Sequence, residues 1–179
     1  MLDLKYWDKC AEFHGHKCPG LAIGFAAVNG AISELGLKNY PALDEEIVCV
    51  TENDACCVDA IQVLLGCTYG KSNLIPHIRG KMAFSFYVRA TGASVRLVLK
   101  NGLGDGLSRD EYMNLLISTP YEQLFDVKES TYELPEPARL FPSVECAICG
   151  EATAEFGLRV QDLKMVCVDC YDAYQREGF

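Results

Sequence analysis

Two groups of cysteines and histidines in this 179-residue chain have the spacing of metal sites. The C-terminal group is Cys146-Ala-Ile-Cys149 and, after seventeen intervening residues, Cys167-Val-Asp-Cys170. Two intervening residues let one tight turn present both sulfurs to a single ion, and the pattern belongs to the four-cysteine zinc class. Gly150 suits the positive φ that such a knuckle needs. A structural Zn²⁺ on Cys146, Cys149, Cys167 and Cys170 is therefore expected. Iron held by four thiolates is the rival, and four buried core cysteines the bland alternative. A helix onset from Cys167 to Gln175 would complete a treble clef.

The second group is Phe13-His14-Gly15-His16-Lys17-Cys18-Pro19-Gly20, which holds two of the three histidines in the chain. Cys18 precedes a proline and is biased toward extended backbone. If that conformation reaches back through Gly15, His14, His16 and Cys18 share one side. Cys18 also falls at the start of a helix, where the dipole favours a thiolate. Cys56 and Cys57 repeat this device at the start of a second helix. Cys67 follows that helix, ~16 Å from Cys56 at the helical rise per residue. The alternative is that these cysteines and histidines are ordinary core or loop residues. Gly66-Cys-Thr-Tyr-Gly70-Lys71-Ser72 is one residue short of a phosphate loop and follows a helix, so a nucleotide cradle is not expected.

Ten cysteines without a leader-like N-terminus point to a reducing, cytoplasmic setting and to metal ligands or buried thiols rather than disulfides. A formal charge of −9 with no basic run argues against nucleic-acid and anionic-membrane partners. No apolar run approaches the length of a membrane span.

The elements that must position these residues are legible in part. Leu21, Phe25, Val28, Ile32 and Leu35 share a helical face over Pro19–Leu35, with Pro19 at the first position and Gly36 beyond the last turn. Gly24, Ala27 and Ala31 leave part of another face flat enough for close packing of a helix or a second subunit. Ile47–Thr51 reads as a buried strand, and Asn53 or Asp54 caps a helix from about Ala55 to Leu65. Met82–Arg89 and Val95–Lys100 alternate around Thr91-Gly92 as a hairpin with one face partly wet. Ser108 with Glu111 and Thr119 with Glu122 form capping-box patterns for two short helices. The acidic run Asp44-Glu45-Glu46 reads as solvated loop charge. The order of elements predicts an α+β core, an antiparallel sheet with packed helices over residues 1–133. A proline-rich linker over 134–143 and a small zinc-finger domain over 144–179 follow.

Phe13-His-Gly-His-Lys-Cys-Pro-Gly20, Glu52-Asn-Asp-Ala-Cys56, Val58-Asp-Ala-Ile-Gln62 and Gly66-Cys-Thr-Tyr-Gly-Lys71 together closely resemble the FmdE family, named for a component of formylmethanofuran dehydrogenase. The resemblance includes members with a C-terminal treble-clef zinc finger. It implies a dimerising α+β core with a metal-capable cleft, and it favours His14, His16, Cys18, Cys56 and Cys67 as the cleft's functional groups. Cys57 falls at a variable position and is left to packing. A second metal ion in the cleft, of unspecified identity, is implied. So is a role as metal-binding accessory subunit or partner of a molybdenum- or tungsten-dependent oxidoreductase. Pterin and iron–sulfur sites are not evident in the chain. The alternatives are a self-contained metal- or thiol-dependent enzyme and a metal-delivery or sensing module.

Overall fold

A computed structural model describes residues 2–174. The chain divides into two compact units, with the boundary between Ala138 and Arg139.

The first unit is the expected α+β core, a sheet with helices packed on it. Its five-stranded sheet has the order β2-β1-β3-β4-β5, where β1 is Ile47–Thr51, β2 Leu74–Pro76, β3 Ala83–Val88, β4 Ser94–Leu99 and β5 Phe125–Lys128. Only the β1–β2 edge pair is parallel. Cys49, Phe84, Phe86, Val95 and Leu97 sit on one face of this sheet and join the main core with the helices. Those helices are α1 (Leu4–His14), α2 (Pro19–Leu35), α3 (Cys57–Leu65) and α4 (Arg109–Ser118), with a single turn α5 (Tyr121–Leu124) leading into β5.

The bounds of α2 and β1 are those the sequence indicates. In α2 Leu21, Phe25 and Val28 are buried, Ile32 and Leu35 pack half-buried against the core, and Gly36 adopts the left-handed conformation that ends the helix. Gly24 meets another helix of the same unit: an added Cβ there would lie 2.0 Å from the Cys57 carbonyl oxygen. The flat face of α2 thus receives the first turn of α3. The helix α1 is an element beyond those read from the sequence; Asp3 caps it by accepting from the Lys5 amide, and Trp7 and Cys10 face inward. Ser108 and Glu111 form the expected reciprocal cap. Thr119 and Glu122 do not, because Pro120 itself takes the cap position of α5.

The other sheet face is covered over β1 and β3 and stays partly wet, as expected, at Ser94, Asp126 and Lys128. Val48, Val50 and Tyr87 form a second cluster with Ile75, Tyr132 and Leu134. The Tyr87 hydroxyl donates to the Tyr132 carbonyl at 2.8 Å. Arg89 donates to the Pro135 carbonyl at 2.7 Å and pairs with Glu45 at 2.7 Å. Glu45 also accepts from the Ala138 amide, so it is a strap anchor rather than solvated loop charge. The first proline-rich residues therefore pack on the sheet, and chain separation begins only after Ala138. Beneath the strap, Arg96 makes a two-pronged ion pair with buried Glu52, at 2.6 and 3.0 Å.

The second unit contains two short hairpins, β6 (Ser143–Glu145) with β7 (Ala152–Ala154), and β8 (Leu158–Gln161) with β9 (Lys164–Cys167). Their core is small: Cys146, Leu158, Val166 and Cys167, with Cys170 against them. From Val168 to Tyr174 the chain is turn and coil, so the expected helix does not begin within the described residues. Gln175 lies outside them.

Candidate metal centres

In the second unit, one ligand atom from each of Cys146, Cys149, Cys167 and Cys170 lies within 4.8 Å of every other. Two backbone turns build the cluster. Gly150 takes φ +76°, and its amide donates back to the Cys146 carbonyl at 2.9 Å. The Cys170 amide closes the second turn on the Cys167 carbonyl at 3.0 Å. The Cys167 amide donates to Cys146 Sγ at 3.3 Å. Amides from Cys167, Cys149 and Ile148 hold the Cys146 thiol down at about 6. By contrast, Cys170 is pushed up to about 12, first by the Cys167 sulfur beside it. Several sulfurs this close cannot all ionise without a cation among them, and a four-sulfur set with no open side is the donor chemistry of structural zinc. The residues fit a zinc ion.

The first unit brings together His14, His16 and Cys18, whose ligand atoms also lie within 4.8 Å of one another. The route differs from the extended segment that the sequence suggests. His14 is the last residue of α1, Gly15 reverses the chain at φ +90°, and Cys18 is the extended cap of α2. Cys18 Sγ accepts from the Leu21 amide at 3.3 Å, as a helix N-terminus allows. His14 Nε2 stands 3.7 Å from that sulfur, and the two imidazole rings are 4.6 Å apart.

Asp59, on the first turn of α3, completes the arrangement. Its Oδ2 lies 2.7 Å from His14 Nδ1, and its Oδ1 accepts from Gln62 Nε2 at 3.1 Å. A carboxylate only accepts, so the neutral imidazole carries its proton on Nδ1 and presents the Nε2 lone pair toward His16 and Cys18. This carboxylate–imidazole couple is the usual outer support of a histidine metal ligand. The donor set of two imidazoles and one thiol with that support fits a divalent transition metal.

Cys56 reaches the same place from another direction. Thr51 donates to the Asn53 carbonyl, and Asn53 Oδ1 accepts from the Ala55 amide and the Cys57 thiol, which fixes the turn between β1 and α3. Cys56 becomes the cap residue of α3. An added Cβ on Gly20 would lie 3.6 Å from Cys56 Sγ and 3.9 Å from Cys18 Sγ, so both sulfurs border the space above Gly20. Burial first, and then the neighbouring Cys18 thiol, raise the Cys56 thiol above its ordinary value.

Cys67 does not join them. It is fully buried, its thiol donates to the Ile47 carbonyl at 3.4 Å, and burial pushes it up to about 12. Its place after Gly66 carries it under the sheet into the core. Cys57 is a packing residue as expected, buried and bonded to Asn53. The Lys71 ammonium donates to the Ala42 carbonyl at 2.7 Å.

A cavity of about 410 Å³ opens beside the group, walled by Val58, Leu74 and Pro76, with His14, Cys56 and Asp59 on its polar side. No helix among the described residues is long and apolar enough to cross a membrane.

Residues 13–134 match the sequence model of FmdE, described as "Molybdenum formylmethanofuran dehydrogenase operon". A probable S-adenosyl-L-methionine-binding protein of Archaeoglobus fulgidus is 26% identical over 196 aligned residues, covering 93% of this chain and 52% of its own length. The chain thus spans about half of that curated relative. The crystal structure of a tungsten formylmethanofuran dehydrogenase FmdE-like protein from Syntrophus aciditrophicus matches with a TM-score of 0.61 at 24% identity, covering 93% of this chain and 90% of that one. This likeness shows that the fold is shared.

Proposed function

Because the chain belongs to the FmdE family, we propose that it is a metal-binding partner of a molybdenum- or tungsten-dependent formylmethanofuran dehydrogenase-like oxidoreductase. In this reading the core carries an open metal site and the second unit a structural zinc. The observation that carries it is the convergence of His14 Nε2, His16 and Cys18, with Nε2 freed by Asp59. Three protein donors beside a cavity leave a position for a further group, whereas the four-cysteine site is closed. His14, His16 and Cys18 would hold the core ion, which supplies Lewis acidity when bound. Cys56 borders the open side. Homodimerisation, implied by the family, belongs to the same proposal.

Two measurements test this reading. Purified protein should hold close to two metal ions per chain, and native pull-down from the source cell should recover a pterin-dependent oxidoreductase. Recovery of metal at the four-cysteine site alone would remove the core site. Absence of any pterin enzyme from the pull-down would remove the accessory role.

A second reading, a small-molecule site independent of a larger complex, is favoured by the cavity itself. Asp54 and Asp59 line it, and no lysine or arginine among the described residues does. Such a lining suits a neutral or cationic ligand better than an anion. The name of the archaeal relative makes S-adenosyl-L-methionine, a sulfonium cation, the first compound to try by equilibrium dialysis.

A further inference from the structure

We propose that Cys18 and Cys56 form a reversible disulfide that competes with metal for the core site. The inference rests on the metal-site reading above and extends it to the thiol that the His14, His16 and Cys18 group leaves out.

Cys18 caps α2 through its sulfur, and Cys56 occupies the N-cap position of α3 with its sulfur making no capping bond. Their sulfurs lie 3.9 and 3.6 Å from one point above Gly20, and each residue starts a helix that is anchored elsewhere in the core. Gly20 is what permits this approach, since a Cβ there would stand 3.1 Å from Cys56 Cβ. The other core cysteines are different. Cys10, Cys49, Cys57 and Cys67 are all fully buried, and of the core cysteines only Cys56 borders the cavity.

The accessible partner reacts first. The Cys56 thiolate attacks one sulfur of a low-molecular-weight disulfide such as glutathione disulfide, and one glutathione thiolate leaves. Cys18, which is 4% exposed, then attacks the Cys56 sulfur of the mixed disulfide and expels the second glutathione. Two protein thiols lose two electrons and two protons, and one glutathione disulfide becomes two glutathione molecules. The product lacks the only thiol ligand among His14, His16 and Cys18. Metal bound to Cys18 blocks the second step, so loading and oxidation exclude each other.

The test uses the full chain, stripped of metal and fully reduced, then exposed to glutathione disulfide before zinc is added. Peptide mapping should recover a Cys18–Cys56 cross-linked peptide, and core zinc uptake should fall at least tenfold and return with dithiothreitol. Zinc added before the oxidant should suppress the cross-link. Cys56→Ala should keep core uptake after oxidant treatment. If the reduced protein takes up core zinc but oxidation yields only mixed disulfides or links among Cys146, Cys149, Cys167 and Cys170, the proposal is overturned and the metal site stands. If the reduced protein takes up no core zinc, the metal-site reading fails, and the competition falls with it.

Discussion

Asp59 Oδ2 sits 2.7 Å from His14 Nδ1 across the junction of α1 and α3, two residues 45 apart in sequence. The contact decides which face of the imidazole is available, because the proton is held on the carboxylate side. It ties the end of one helix to the start of another at the point where His16, Cys18 and Cys56 also gather.

Asp59→Asn should therefore weaken metal binding at the core by ~10–100-fold, the usual cost of losing such an outer partner. Zinc at the four-cysteine site should be unchanged. Competitive titration against a chromogenic chelator measures both, and equal loss at the two sites would point to general unfolding.

Little of this contact is visible in sequence. His14, His16 and Cys18 announce themselves by close spacing, and so do the two Cys-x2-Cys pairs. Their union with Asp59 and Cys56 depends on how α1 and α3 pack, which no local pattern encodes. Helix α1 was legible in principle: Asp3 followed by Leu4, Trp7, Cys10 and Ala11 at helical spacing, ending at Gly15, carries cap and stripe alike. Strand β2 has three residues and ends on Pro76, too short for alternation to register. The resemblance puts Cys67 in the cleft and the fold puts it in the core, because family position says where a residue falls along the chain and not which way it points.

Gly24→Ala should destabilise the first unit by about 3 kcal/mol or more, toward the upper end of overpacking costs. Its Cβ would meet the backbone carbonyl of Cys57 at 2.0 Å, and neither helix can move without opening the core. Urea unfolding of the variant and wild type gives the difference. A change below about 1 kcal/mol would mean that α2 and α3 do not approach as closely as described.

Glu52→Ala should cost about 3–5 kcal/mol, because Arg96 would be left without its partner beneath the strap. Replacing both residues by apolar ones should recover much of that loss. A double-mutant cycle read by thermal unfolding tests the coupling.

Stability should fall on the alkaline side. Burial pushes the Cys10, Cys57 and Cys67 thiols from 9.0 to about 12 in the folded chain. Between those values the unfolded chain has released protons that the native chain still holds, so the slope of unfolding free energy against pH is negative. The contribution is intact below pH 9.0 and is lost as pH rises toward about 12. In reducing buffer, Cys67→Ala should show a shallower alkaline decline than wild type, whatever its offset at neutral pH. Parallel declines would mean that Cys67 titrates normally.

The most direct test of the two-site account is the metal content of the purified chain, measured by plasma mass spectrometry for wild type, Cys18→Ser and Cys146→Ser. Wild type should hold close to two ions per chain, and each variant should lose one while retaining the other. A wild-type content near one that Cys18→Ser leaves untouched and Cys146→Ser abolishes would contradict a metal site in the core.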